Sequence, residues 1–146
     1  MAKEIRITPI VDGIVIDHIP AGKALDVAKI LHVNESDSLV TIGLNLSSTK
    51  MKLKDCVKIE GRSLSNYELN KISIVAPNAS VSFIHEKKVE EKFNVKLPKE
   101  LRNIIKCNNP NCITNNQDVE TRFIVDGDFM CFFCERSSSS DDIELI

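Results

Sequence analysis

No apolar run in this chain of 146 residues approaches the roughly 20 needed to cross a bilayer as a helix, and stretches such as Ile14-Val15-Ile16 are short. The stretch Met1-Ala2-Lys3-Glu4-Ile5-Arg6 turns polar at once and lacks the apolar segment of a signal peptide, which predicts a cytoplasmic protein. An excess of one charge is missing too. The 19 Lys and Arg against 21 Asp and Glu leave a net charge of −2, which argues against a general nucleic-acid or membrane-surface binder. There is no Gly-x-Gly-x-x-Gly, P-loop, Gly-x-Ser-x-Gly or His-Glu-x-x-His. What is present is an ordinary globular composition, 42% hydrophobic and 27% charged, with five Cys and three His. In a reducing compartment, clustered Cys point to metal rather than to a disulfide framework.

The cysteines divide the chain. Cys56 stands alone, whereas Cys107, Cys112, Cys131 and Cys134 lie in the last third. Residues 1–92 hold 13 basic and 12 acidic side chains, and residues 93–146 hold 6 and 9. Pro98 cannot join an interior strand or helix, so a boundary is expected within roughly 93–101, giving domains of residues 1–95 and 96–146. In the first, Ile5–Thr8 and Gly13–His18 read as strands and Ala21–His32 as a helix. Ser38–Leu46 and Lys54–Glu60 follow as strands. Ser65-Asn66-Tyr67-Glu68 is a capping-box pattern that opens a second helix, and β-type runs are expected at Ile72–Val75, Ala79–Ile84 and from Val89. The expected fold class is α+β: a mainly antiparallel sheet with two helices on one face, followed by a small all-β metal domain. The Ser137–Asp142 tail is expected to be mobile, with Ile143, Leu145 and Ile146 able to dock.

Cys107-x4-Cys112 and Cys131-x2-Cys134 are two close pairs separated by a hairpin-length segment, the sequence form of a four-thiolate zinc site. Each pair sits on a tight turn that aims two sulfurs at one ion. Asp126-Gly127 turns the hairpin between them. No His follows His85, so the ligand set is all sulfur. A closed shell leaves no position for substrate, so the zinc, one ion per chain, is structural and replaces a core that about 50 residues cannot build. Two disulfides or an iron–sulfur cluster are the alternatives. Elsewhere Asp17-His18 reads three ways: a satisfied turn pair, a ligand-binding pair, or an acid–base pair. Lys58, Lys87, Lys88 and Lys92 read as a solvated face or, if two of them converge near His18, as a polyanion site. Cys56 reads as a small buried residue.

At Val15-Ile16-Asp17-His18-Ile19-Pro20-Ala21, Thr41-Ile42-Gly43-Leu44-Asn45-Leu46, Lys58-Ile59-Glu60, Ala76-Pro77-x-Ala79 and the four-Cys pattern, the chain resembles the regulatory chain of aspartate carbamoyltransferase, in order and over essentially its whole length. The resemblance implies a non-catalytic subunit of pyrimidine biosynthesis. It implies that an N-terminal domain binds CTP, UTP and ATP as allosteric effectors, and that a C-terminal zinc domain contacts the catalytic chain. It further implies a regulatory dimer, with two catalytic trimers bridged by three such dimers. Carried over by motif, Asp17 and His18 lie in the effector pocket with Lys58 and Lys92. Ile10 and Val15, with the backbone of Ile7, Thr8 and Pro9, face the base, and Ser82, Ile84, Lys87 and Val89 occupy further pocket positions. Asn109, Asn111 and Glu135 flank the metal ligands where the catalytic chain docks. Thr8 stands where the family has an acidic residue, Glu4 where it has a lysine, and Ser82 and Lys87 replace Asn and Tyr. These differences bear on base discrimination. The four-Cys pattern alone also permits a zinc-ribbon nucleic-acid-binding module, and Asp17-His18 alone a small enzyme. The acidic balance of residues 93–146 weighs against the first.

Overall fold

The β-branched run at Gly13–Pro20 forms the first strand, β1, whose Ile14, Ile16 and Ile19 all point to one face and are fully buried. The structure is a computed structural model that describes residues 11–146, which fall into two compact units divided between Lys96 and Leu97, and the strand expected at Ile5–Thr8 lies outside the described residues. After β1 the first unit continues with α1 (Ala24–Ile30), a 3-10 turn (Val33–Glu35), β2 (Val40–Ser48) and β3 (Lys52–Glu60). It ends with α2 (Asn66–Val75), β4 (Ser80–His85) and β5 (Lys88–Asn94). The strands form one antiparallel sheet in the order β2-β3-β1-β4-β5. At its centre, a Cβ on Gly13 would fall 2.2 Å from the Ile59 carbonyl oxygen, so the close approach of β1 and β3 requires glycine there.

Both helices lie on one face. Ala24, Val27 and Leu31 from the α1 segment and Ile72 and Ala76 from the α2 segment join Ile14, Ile16, Ile19, Val57, Ile59 and Val81 in a continuous core. Each fully buried Ile removes enough apolar area to contribute about 2–3 kcal/mol. The α1 helix is shorter than the expected Ala21–His32. The chain first makes a turn in which Lys23 N–H donates to the Pro20 carbonyl at 3.0 Å, and the left-handed backbone of His32 (φ 52°) ends the helix. The expected strand at Ile72–Val75 is instead the last turn of α2. Ser65 and Glu68 close the full capping box, with Glu68 N–H donating to Ser65 Oγ at 3.2 Å and Ser65 N–H to Glu68 Oε1 at 3.1 Å. A nucleated helix adds a hydrogen bond per residue, which outweighs the local β preference of two isoleucines.

Asp55 lies on the core side of β3 and is fully buried. Its Oδ2 accepts from the N–H of Gly22 (2.9 Å) and Ala24 (3.2 Å), and its Oδ1 from the N–H of Asn45 (3.0 Å). One carboxylate therefore holds the start of α1 and an irregularity in β2, where pairing slips between Gly43 and Leu46 and Asn45 adopts φ 58°.

The second unit contains β6 (Glu100–Arg102), β7 (Ile105–Lys106), a single helical turn α3 (Ile113–Asn116), β8 (Arg122–Asp126) and β9 (Asp128–Cys131). Two short strands, β10 (Ser137–Ser138) and β11 (Glu144–Leu145), complete it. A four-stranded sheet runs β10-β9-β8-β6, and β11 pairs with β7. The β8–β9 hairpin turns at Gly127 (φ 74°). Leu101, Ile104, Ile105, Phe123 and Phe129 are buried, a small core for 50 residues. The tail expected to be mobile is tied down: Ser137 and Ser138 pair with β9, Ser139 Oγ donates to Asp142 Oδ2 at 3.0 Å, and Ile146 N–H donates to the Ile104 carbonyl at 2.8 Å. No helix among the described residues is long and apolar enough to cross a membrane.

Asp55→Ala leaves three backbone donors without an acceptor, at about 1–3 kcal/mol for each that stays buried. Urea unfolding of the full chain should show a loss of about 3 kcal/mol or more. An unchanged midpoint would remove Asp55 from its structural role.

Candidate functional site

The metal centre is built by two knuckles. In the first, Asn109 Oδ1 accepts from Asn111 N–H (3.0 Å), and Asn115 Nδ2 donates to the carbonyls of Cys107 (2.9 Å) and Asn109 (2.8 Å). Asn116 Nδ2 likewise donates to the carbonyls of Pro110 and Cys112. In the second, Glu135 N–H donates to the Cys131 carbonyl at 2.8 Å and Glu135 itself is left-handed (φ 61°). Together they bring the Sγ atoms of Cys107, Cys112, Cys131 and Cys134 within 4.8 Å of one another. Four sulfurs at about 2.3 Å from a tetrahedral ion would stand about 3.8 Å apart. The Cys107–Cys134 and Cys112–Cys131 separations are 3.6 and 3.7 Å, and all four cysteines are free. The sulfur spacing suits a single ion and is too wide for disulfides.

Burial and nearby hydrogen-bond donors act on the sulfurs in opposite directions. Burial pushes the Cys107 thiol up to about 12 despite the Asn109 backbone N–H, and it raises Cys131 as well. Burial acts upward on Cys134 also, but the Arg136 backbone N–H and the Asn109 side chain bring it down to about 7. Thr114 Oγ1 donates to Cys112 Sγ at 3.2 Å. Four thiols with such N–H and O–H donors aimed at them form a closed all-sulfur cage for a structural metal ion, with no open position for chemistry.

The sheet of the first unit has a second face that no described helix covers. Residues directly opposite in an antiparallel ladder share a face, so the registers give a row across all five strands: Thr41, Lys58, Val15, Ser82 and Lys92. A flanking row runs Glu60, Gly13, Ile84 and Val89, and on the other side Asp17 is opposite Ser80, which is opposite Asn94. Of the residues carried over from the resemblance, Val15, Asp17, Lys58, Ser82, Ile84, Val89 and Lys92 thus share this face. Lys87 sits at the β4–β5 turn with φ 67°, its N–H donating to the Val11 carbonyl at 2.8 Å. Ile7, Thr8, Pro9 and Ile10, with Glu4, lie outside the described residues.

A bulge places His18. Ile16 pairs with Val57 and Ile19 with Asp55, so Asp17 and His18 both stand opposite Cys56. His18 is left-handed (φ 57°), its N–H donates to Asp17 Oδ1 at 2.7 Å, and its Nδ1 lies 3.2 Å from Ser80 Oγ. Lys54 Nζ donates to Asp17 Oδ2 at 3.0 Å. Burial opposes ionisation of Asp17, but the Lys54 ammonium and the His18 N–H together hold its carboxyl below the usual value. The carboxylate is engaged by Lys54, while His18 Nδ1 stands 3.9 Å from Asp17 Oδ2 and closer, at 3.2 Å, to Ser80 Oγ. Cys56 is buried, with a thiol pushed up to about 11 by burial and by the Asp17 charge.

Beside these residues a cleft of about 550 Å³ is lined by His18, Lys50, Met51, Pro77, Asn78, Ser80, Lys92, Asn94 and Val95. His18 and Lys92 meet there, while Lys58 stays in the cross-strand row. Lys50, Lys54, Ser80 and Asn94 are the residues that motif reasoning passed over. Alternation in Lys52-Leu53-Lys54-Asp55-Cys56-Val57-Lys58 could have put Lys54 beside Lys58, but Lys50, Ser80 and Asn94 reach the cleft only through hairpin and ladder geometry.

Chelation should unfold the second unit and spare the first: hydrogen exchange at β8 and β9 rises steeply while β1 and β3 keep their protection. Structural zinc of this kind contributes about 10–16 kcal/mol, so a second unit that survives complete metal removal would contradict the assignment. The Asp17–Lys54 pair has its own pH window. Because the folded carboxyl lies below its ordinary value of 3.8, its stabilisation is present above that value and is lost as pH falls through the folded one. Asp17→Asn should therefore flatten the acid limb below about pH 4 and leave the pH dependence around neutrality unchanged, read from thermal melts.

Residues 5–96 match the allosteric domain of the aspartate carbamoyltransferase regulatory chain, and residues 99–144 match its metal-binding domain. The chain is 44% identical to the aspartate carbamoyltransferase regulatory chain of Pyrococcus abyssi, covering 96% of each. It is 44% identical to that of Methanococcus vannielii over 96% of this chain and 97% of the relative. The figure is 43% for that of Thermococcus kodakarensis, over 98% and 97%. With both domains matched, and with a four-cysteine cage where the metal-binding domain falls, the chain belongs to the family of aspartate carbamoyltransferase regulatory chains, a non-catalytic subunit with a catalytic chain as its partner.

Proposed function

We propose that the open sheet face of the first unit binds CTP, UTP and ATP, and that the second unit, folded around zinc, passes the effect to the catalytic chain. The observation that carries the reading is the cross-strand row from Lys58 to Lys92. Three inter-strand steps of about 4.8 Å separate their backbones by about 14 Å. That span suits an extended nucleoside triphosphate better than a single phosphate. Compact ammonium groups serve the phosphates, and the directional groups of Asp17, His18 and Ser82 serve the ribose and base. Val15, Ile84 and Val89 supply an apolar surface for a base to lie on.

Binding by itself leaves activity unchanged. Effectors can oppose each other only by interacting differently with two global states of the assembly. The assembly we propose has regulatory dimers bridging two catalytic trimers, in a two-trimer, three-dimer complex, with Asn109, Asn111 and Glu135 at the contact. The backbone of Glu135 supports that placement. A non-glycine residue held in the left-handed region costs about a kilocalorie or more, and its exposed carboxylate satisfies nothing within the second unit among the hydrogen bonds described.

Lys58→Ala and Lys92→Ala should each weaken CTP and ATP binding about tenfold or more, by calorimetry on the full chain, with the loss shrinking as salt is raised. In the reconstituted holoenzyme, saturating CTP and ATP should move the aspartate saturation curve in opposite directions. An unmoved curve would sink the regulatory reading, while the binding reading would survive it.

A further inference from the structure

The second knuckle carries two exposed aromatic rings. Phe132 and Phe133, between Cys131 and Cys134, are 47% and 41% exposed and pack edge to face with centroids 5.3 Å apart. Phe132 does not move freely. The Arg122 guanidinium lies 4.1 Å over its ring, and Phe132 N–H donates to the Arg122 carbonyl at 2.8 Å. Arg122 is itself clamped: its Nε and Nη2 donate to Glu100 Oε1 (2.7 Å) and Oε2 (3.3 Å). Glu100 takes a further hydrogen bond from Arg102 Nε at 2.6 Å.

We propose that the Glu100–Arg122 clamp presents Phe132, with Phe133, as a preorganised aromatic anchor for the catalytic chain. The proposal rests on the reading of the second unit as the part that contacts that chain. Two observations choose this occupant. The rings flank the same knuckles as the candidate contact residues: Glu135 follows Cys134 directly, and the Asn109 side chain reaches Cys134. The charge also excludes the other partner that stacking aromatics could serve. Residues 97–146 hold five basic against nine acidic side chains, net −4, and the Arg122 guanidinium beside Phe132 is paired with Glu100, which it shares with Arg102. A base-stacking nucleic-acid site needs a positive groove alongside its aromatics. A protein interface needs rigid aromatic anchors in the desolvated centre of the contact. Fixing the ring before contact removes part of the ordering cost of association. Glu100 and Arg122 are positioning residues here, and the rings make the contact.

The test uses the full metal-loaded chain and a purified catalytic trimer. Phe132→Ser should weaken association about thirtyfold or more. Arg122→Lys keeps the charge opposite Glu100 but loses the planar stack, and should weaken association about fivefold. Both should retain one metal ion per chain and wild-type CTP affinity. Association of both variants at wild-type strength overturns the proposal. So does a salt-sensitive shift of a DNA or RNA probe by the wild-type chain that Phe132→Ser abolishes. If Phe132→Ser fails to hold metal, Arg122→Lys decides by its association constant alone. A wild-type chain that itself fails to bind the trimer would overturn the wider reading of the second unit, an outcome distinguishable from failure of the variants to differ.

Discussion

A buried carboxylate is tolerable only when its charge is met, and in the first unit Asp55 meets this demand with three backbone N–H groups. The requirement shapes everything around it. Gly22 and Ala24 must turn inward, which sets where α1 begins, and Asn45 must adopt a left-handed backbone, which bends β2. Asp55 also stands opposite Ile19, at the point where the register of β1 slips. The slip is what leaves Asp17 and His18 side by side on the strand, with one carboxylate facing Lys54 and one imidazole facing Ser80 and the cleft. A charge on the core face of the sheet thus governs groups on the opposite face.

The second unit solves a different problem. Its apolar core is small, so a four-sulfur cage takes over the closing of the fold. This has a consequence for the surface. A knuckle holds its cysteines inward, and the residues between them have nowhere to go but out. Phe132 and Phe133 are exposed for that reason, and the Arg122 stack limits their freedom. The same geometry puts Glu135 in a backbone region that glycine would occupy without strain. The ion that folds the unit therefore also sets the orientation of the exposed side chains around it.

Much of this was legible from residues alone, for local reasons. The pairing of Cys107 with Cys112 and of Cys131 with Cys134 needs only tight turns, and in the first of them Asn108, Asn109, Pro110 and Asn111 are consecutive in the chain. The capping box at Ser65 is complete within four residues. The misreadings were local as well. Ile72–Val75 has strand-like composition but lies downstream of a strong helix start, and Ala21–His32 has helical periodicity across a turn that Asp55 imposes from 33 residues away. The tail Ser137–Asp142 looks solvated until β9 offers it a partner edge.

The amino-acid sequence by itself determined the family, the two-part division of charge and cysteine, and the identity of the metal ligands, because each depends on residue type and short spacing. Only the tertiary structure decided which lysines share a face. Lys58 and Lys92 lie 34 positions apart in the chain and share a row only because β1 and β4 stand between their strands in register. It also decided that Lys54 belongs with Asp17, that His18 turns toward Ser80, and that Glu100 reaches Phe132 through Arg122. Strand pairing converts distant positions into neighbours, and periodicity within a single strand gives a face without saying what lies across from it.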